Sequence, residues 1–214
     1  MNTLDYIFHK YQLNPNANRM PIEIPNVGRD DLAGLFAELG FTTGAEIGVQ
    51  TGLYSEVLCQ GNPNLHLYCV DAWEPYSRYR EHTTKKTMDA FLEEAQARLG
   101  PYQCTLIKKF SMDAVKDFSP ESLDFVYIDA NHEFRHVVDD IHEWSGKVRS
   151  GGIVSGHDYL GRASPVYNVH VIEAVNGYTR AYGIRPWFVL GTKEIKPDEK
   201  RDQPRSWMWV KRET

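Results

Sequence analysis

The chain has few cysteines, no basic excess and no long apolar run. Of its 214 residues only three are cysteines, Cys59, Cys69 and Cys104. They are odd in number, far apart and form no CxxC pair, which argues against a disulfide framework or a thiolate zinc motif. Cys69 and Cys104 fall within apolar, strand-like segments and read as small buried hydrophobes. That usage is expected of a reducing, cytoplasmic setting. No charged-then-apolar leader opens the chain, and no apolar run reaches the roughly 18 residues of a membrane helix. The net charge of -5 offers no basic face to nucleic acid or anionic lipid, so neither is an expected partner. An apolar share of 42% with 25% charged residues is ordinary for one soluble α/β domain.

What is present is a rhythm. Residues 1–29 stand apart, with Asn14, Asn16, Asn18 and the prolines Pro15, Pro21 and Pro25 after a short amphipathic piece, Leu4–Phe8. This extension reads as a lid, an oligomer arm or a packed segment, and residues 30–214 as the main domain. From Asp30, leucines at helical spacing run to a C-cap glycine, Gly40. Short apolar strands then alternate with helices. Strands are expected over 41–47, 65–70, 103–107, 123–128, 153–155, 186–190 and 206–210. Among the helices between them, one opens with Leu53, Val57 and Leu58 on a buried face. Another carries Phe134, Val137, Val138, Ile141 and Trp144. Such alternation predicts a mostly parallel α/β sheet, with the last two strands forming a hairpin that introduces an antiparallel strand.

In such sheets ligands bind beyond the carboxyl ends of the strands. Those ends read Gly48, Asp71, Ser111, Asp129 and His157-Asp158. The turn from Glu46 to Gly52 joins a strand to a helix N-terminus through two glycines, a nucleotide-type cofactor site. Asp71 ends the next strand, where a carboxylate can accept both hydroxyls of a ribose. Set against a GxGxxG fingerprint centred on Gly48, Glu46 and Thr51 replace two glycines, which weakens a nicotinamide-dependent oxidoreductase reading.

Three stretches carry a resemblance: Ala45–Ser55, Phe125–His132 and Gly151–Tyr159. They resemble class I S-adenosylmethionine-dependent methyltransferases, and within them the methyltransferase domain 24 family. That family is similar to small-molecule O-methyltransferases that tailor natural products, several of them metal-assisted. The resemblance implies a Rossmann-like class I methyltransferase fold with a seven-stranded sheet. It implies O-methylation of a small-molecule hydroxyl, on a natural product or a sugar-like acceptor, with S-adenosylmethionine as donor. Glu46, Gly48 and the turn through Gly52 would hold the methionine end and Asp71 the ribose, with Ser55 and Asp129 as further cofactor-binding residues. Ser111, Met112 and Trp73 would surround the adenine.

The second expected constellation is Asp129, His132, His157 and Asp158. Asp129, His157 and Asp158 could share one Mg²⁺ or Mn²⁺, which would lower the pKa of an acceptor hydroxyl. Without metal, His132 or His157 would serve as general base beside Asp129. Related metal-assisted enzymes often carry a second carboxylate where this chain has Asn131, which keeps a catalytically inactive cofactor-binding subunit among the alternatives. Tyr76, Tyr79, Tyr6 and Phe8 are candidate pocket aromatics. His136 and His142 are expected to be solvated. The expected partners are a small-molecule acceptor and, with the N-terminal segment as an arm, a second copy in a homo-oligomer.

Overall fold

The computed structural model describes residues 1–75, 84–163, 168–194 and 196–212. The elements in chain order are α1 (Thr3–Lys10), β1 (Ile22–Ile24), α2 (Asp30–Glu38), β2 (Thr43–Ile47) and α3 (Leu53–Gly61). There follow β3 (His66–Asp71), α4 (Lys85–Leu99), β4 (Cys104–Lys108), the short α5 (Ser111–Ala114) and β5 (Leu123–Ile128). The chain continues with α6 (Phe134–Ser145), β6 (Val148–Gly156), β7 (Gly161–Ala163), β8 (Asn168–His170), α7 (Val171–Ala181), β9 (Phe188–Leu190) and β10 (Trp207–Val210).

Eight strands form one sheet in the order β1-β9-β10-β6-β5-β2-β3-β4. β10 runs antiparallel to both β9 and β6, with Trp207 opposite Val189 and Gly156. The remaining pairings are parallel. The hairpin of β9 and β10 and the antiparallel strand are as the sequence predicts. The strand count is not: eight replace the expected seven. The extra strand is β1, in which Ile22 and Ile24 pair with Phe188 and Leu190 at the sheet edge. Ile24 and Ile7 are fully buried there, so residues of the extension enter the main core.

Two apolar clusters cover the sheet's faces, and strand alternation divides the residues between them. On β5, Phe125 and Tyr127 face one cluster while Val126 and Ile128 face the other. Phe36 of α2 stacks on Phe125 with ring centroids 4.0 Å apart. Burying each ring contributes roughly 1.5–3 kcal/mol. The Phe125 ring occupies the space where a Cβ on Gly44 would stand, 2.2 Å from its tip. α6 buries Val137, Ile141 and Trp144, the expected stripe, but Phe134 at its start is half exposed.

α3 departs from expectation in the same way. Its buried face is Tyr54, Ser55, Leu58 and Cys59, while Leu53 is 57% exposed. The first helical residue projects past the turn, away from the core. The three cysteines, distant in sequence, converge: Cys59 and Cys104 place their sulfurs 3.5 Å apart as free thiols. Among the described residues no helix is long and apolar enough to cross a membrane.

Candidate active site

The carboxyl ends of β2 to β6 border one cavity of about 540 Å³, in the size range of small-molecule sites. Its floor is the turn after β2. Gly48 has φ +93°, and a Cβ there would lie 2.2 Å from the Asp129 carbonyl oxygen. The glycine is therefore needed for the close approach of the β5 end, independent of any ligand. Asp129 N–H donates to the Ile47 carbonyl at 2.7 Å, which locks the two strand ends together.

Asp71 holds the turn from the other side. Its Oδ2 accepts the Val49 and Gln50 amides at 3.0 and 2.9 Å, and its Oδ1 accepts the Trp73 amide at 2.9 Å. A carboxylate has about four acceptor positions. With three taken, most of the Asp71 carboxylate is committed to the turn. Trp73 is buried, and its indole N–H donates to the Gln50 carbonyl at 2.8 Å, so it borders the cavity while bracing the turn. Gln50, Trp73 and Asp158 all have positive φ. Backbone strain of this kind persists where surrounding structure enforces it, often at ligand sites.

Glu46 lies just below the turn and is 2% exposed. Burial pushes its carboxyl up to about 8, opposed by a hydrogen bond from the Ser55 hydroxyl. At the far end, the Ser111 hydroxyl bonds the buried Asp140 carboxylate and accepts the Trp144 indole N–H at 2.8 Å. Burial raises the Asp140 carboxyl to about 7, against the pull of Ser111. Met112 supplies apolar wall beside it.

The remaining wall is charged. Ile128 pairs with Gly156, so Asp129 and His157-Asp158 leave neighbouring strands side by side. His132 Nε2 sits 2.7 Å from Asp158 Oδ2 and 3.5 Å from Asp129 Oδ1. His157 Nδ1 is 3.7 Å from Asp129 and 3.5 Å from Asp158. Burial alone would lower the His132 pKa, but the Asp129 and Asp158 carboxylates outweigh it and raise it to about 10. His157 is raised by the same contest. The His132 Nε2 atom is buried close to a carboxylate oxygen yet off the direction of a proper hydrogen bond. Asp129, His132 and Asp158 each offer one ligand atom, all within 4.8 Å of one another. Two carboxylates and an imidazole suit a divalent cation. The compact trio uses His132, with His157 beside it. Asn131 Oδ1 accepts the Glu133 amide at 2.8 Å, an Asx turn leading into α6.

Of the residues singled out from sequence, Glu46, Gly48, Asp71, Trp73, Ser111, Met112, Asp129, His132, His157 and Asp158 line this cavity. Gly52 and Ser55 do not. Gly52 packs against Leu99, and Ser55 is fully buried behind Glu46. His136 is exposed on α6 at the cavity border. Tyr76 and Tyr79 lie outside the described residues. Tyr6 bonds Glu38, and Phe8 packs edge-on against Phe188; neither borders the cavity. Arg29, Tyr54 and Asp140 were missed, because charge or hydroxyl on an otherwise apolar face gives no periodic signal.

Comparison with known proteins narrows the identity. A family model described as "Methyltransferase domain" matches residues 45–159, more than half of the chain. No curated protein matches by sequence. Among solved structures, an O-methyltransferase family protein from Burkholderia thailandensis aligns with TM-score 0.58 and 17% identity. That alignment covers 86% of this chain but 55% of that one, so the present chain spans about half of its length. The O-methyltransferase TomG from Streptomyces achromogenes, solved with S-adenosylmethionine, aligns with TM-score 0.55 and 19% identity over 96% and 86% of the two chains. An O-methyltransferase from Bacillus cereus, in complex with SAH, gives 0.57 and 15% over 98% and 90%. The structural likeness gives the fold, the matched model covers both the glycine turn and the carboxylate–imidazole wall, and the chain belongs to the methyltransferase domain family of class I S-adenosylmethionine-dependent enzymes.

Proposed function

We propose that the protein transfers a methyl group from S-adenosylmethionine to a hydroxyl of a small molecule, with a divalent cation assisting. The observation that carries this reading is the continuity of the cavity. A single chamber joins the Gly48 turn, Asp71 and Ser111 to the Asp129–His132–Asp158 cluster. Donor and acceptor would therefore meet in one place, and alignment of two reactants is the larger part of such catalysis.

The sulfonium supplies a methyl group that is reactive without covalent help from the protein. Asp129 offers negative charge to the ammonium of the methionine end, and Glu46, its carboxyl pushed up to about 8 by burial, offers an acceptor oxygen. Asp71 offers an acceptor to the ribose, and the backbone at Ser111 with Met112 borders the adenine. Asp129, His132 and Asp158 would hold the cation, which when bound supplies positive charge that polarises an acceptor hydroxyl. His132 lies within reach of the same carboxylates. With its pKa near 10 it is an imidazolium at neutral pH and must lose that proton before it can hold the cation. A small-molecule acceptor fits the mixed lining of apolar and charged groups, and the acidic surroundings give no hold for nucleic acid.

The test is calorimetry of S-adenosylhomocysteine binding, followed by mass spectrometry of phenolic, catechol and sugar acceptors incubated with S-adenosylmethionine, with and without Mg²⁺ or Mn²⁺. Micromolar binding and a one-methyl mass gain on an acceptor are expected. Absence of binding in the wild type would sink the reading.

A further inference from the structure

Most ionisable groups bordering the cavity are carboxylates or histidines. Among the described lining residues the permanent cations are Arg29 and Lys109. Lys109 is spoken for, 2.5 Å from Asp117 on an exposed edge. Arg29 is different. It belongs to the segment before α2, outside the region matched by the family model. Its backbone is fastened on both sides: the amide donates to the Asp202 carboxylate, and the carbonyl accepts the Tyr54 hydroxyl at 2.8 Å. The guanidinium lies 5.0 Å over the Tyr54 ring.

That side chain is two-thirds buried yet poorly partnered. Among the described residues its approach to opposite charge is 3.8 Å, to Asp129 Oδ2, longer than a hydrogen bond. A guanidinium has five N–H donors in a planar fork, and about a third of this side chain stays open where an acceptor can reach it. The arrangement is pre-set for an anion. The anion must also tolerate Asp129 close by and Glu46 below the turn. A group that presents a carboxylate to Arg29 and an ammonium to Asp129, with Glu46 as a neutral acceptor below, meets both demands. An α-amino acid does this with two charges on one carbon.

We propose that Arg29 binds the α-carboxylate of the methyl donor's methionine end, opposite Asp129, so that the pocket selects a zwitterion. This rests on the methyl-donor reading above. It assigns to the N-terminal segment a direct part in cofactor selection.

The test pairs two ligands with two proteins. S-adenosylhomocysteine carries the carboxylate, and S-adenosyl-3-thiopropylamine is the same molecule without it. By calorimetry the wild type should prefer the first by about ten- to hundredfold, the scale of a charge-assisted contact. Arg29→Gln should weaken S-adenosylhomocysteine by a similar factor and leave the decarboxylated ligand unchanged. Arg29→Lys should fall between, since it keeps charge but loses the planar fork. Equal weakening of both ligands by Arg29→Gln would make the arginine structural and overturn the proposal. So would equal wild-type affinity for the two ligands, which is decisive even if the variant misfolds. Failure of the wild type to bind either ligand would instead remove the methyl-donor reading itself.

Discussion

Replacing Glu46 with glutamine should stabilise the cofactor-free protein while weakening cofactor binding. The carboxyl is 2% exposed, and burial raises its pKa from 4.5 to about 8. The folded pKa lies above the unfolded one, so the penalty is absent below about pH 4.5 and complete above about pH 8. At pH 7 the unfolded chain gains about 3 kcal/mol by ionising this group, and the folded chain gains almost nothing. A glutamine has no proton to lose and keeps a partner for the Ser55 hydroxyl, which can rotate to suit. At about 2–4 °C per kcal/mol for a chain of this size, Glu46→Gln should raise Tm by roughly 6–12 °C at pH 7. The difference should shrink towards zero near pH 4.5. Scanning fluorimetry from pH 4.5 to 9, without ligand, reads this directly. A glutamine can accept from an ammonium but cannot ionise opposite it, so S-adenosylhomocysteine should bind about tenfold more weakly. A variant that is less stable than the wild type, or an offset that does not vary with pH, would refute the claim that Glu46 is held protonated.

Two further outcomes are expected. Gly48→Ala sets a Cβ 2.2 Å from the Asp129 carbonyl at a φ of +93°, and neither backbone can yield. It should cost about 3 kcal/mol or more in urea denaturation and abolish cofactor binding; a mild effect would show that the two strand ends can separate. Mg²⁺ or Mn²⁺ at a hundredfold excess over Kd should stabilise the wild type by about 2.7 kcal/mol. At one fixed cation concentration the gain should be larger at pH 9 than at pH 6, because the cation competes with the His132 proton, and Asp158→Asn should remove it. No shift in the wild type would leave the cluster without a metal role.

Much of the fold was legible because its signals are local. Apolar strands ending on Gly48, Asp71, Asp129 and His157 show period, punctuation and polarity within a few residues each, and the strand order then brings those ends together. β1 was not legible. Ile22–Ile24 is three residues long between prolines, and only the free edge of β9, distant in sequence, makes it a strand. The role of Asp71 was half legible: its place at a strand end is a sequence property, but its three amide partners depend on the turn's folded path. Arg29 and Asp140 were invisible for a related reason. A lone charge has meaning only beside what surrounds it, here Tyr54 and Asp129 for one and Ser111 for the other.

The place of β10 has a consequence for synthesis on the ribosome. β10 comes last in sequence but lies between β9 and β6, so these two strands wait with open backbone edges until residues 207–210 emerge. The loop before it delivers Asp202 to the Arg29 amide. A nascent chain therefore cannot close its sheet or fasten the start of α2 early. From the completion of β6 at Gly156 until Trp207 emerges it shows an open edge, joined by that of β9 after Leu190, of the kind that holding chaperones recognise.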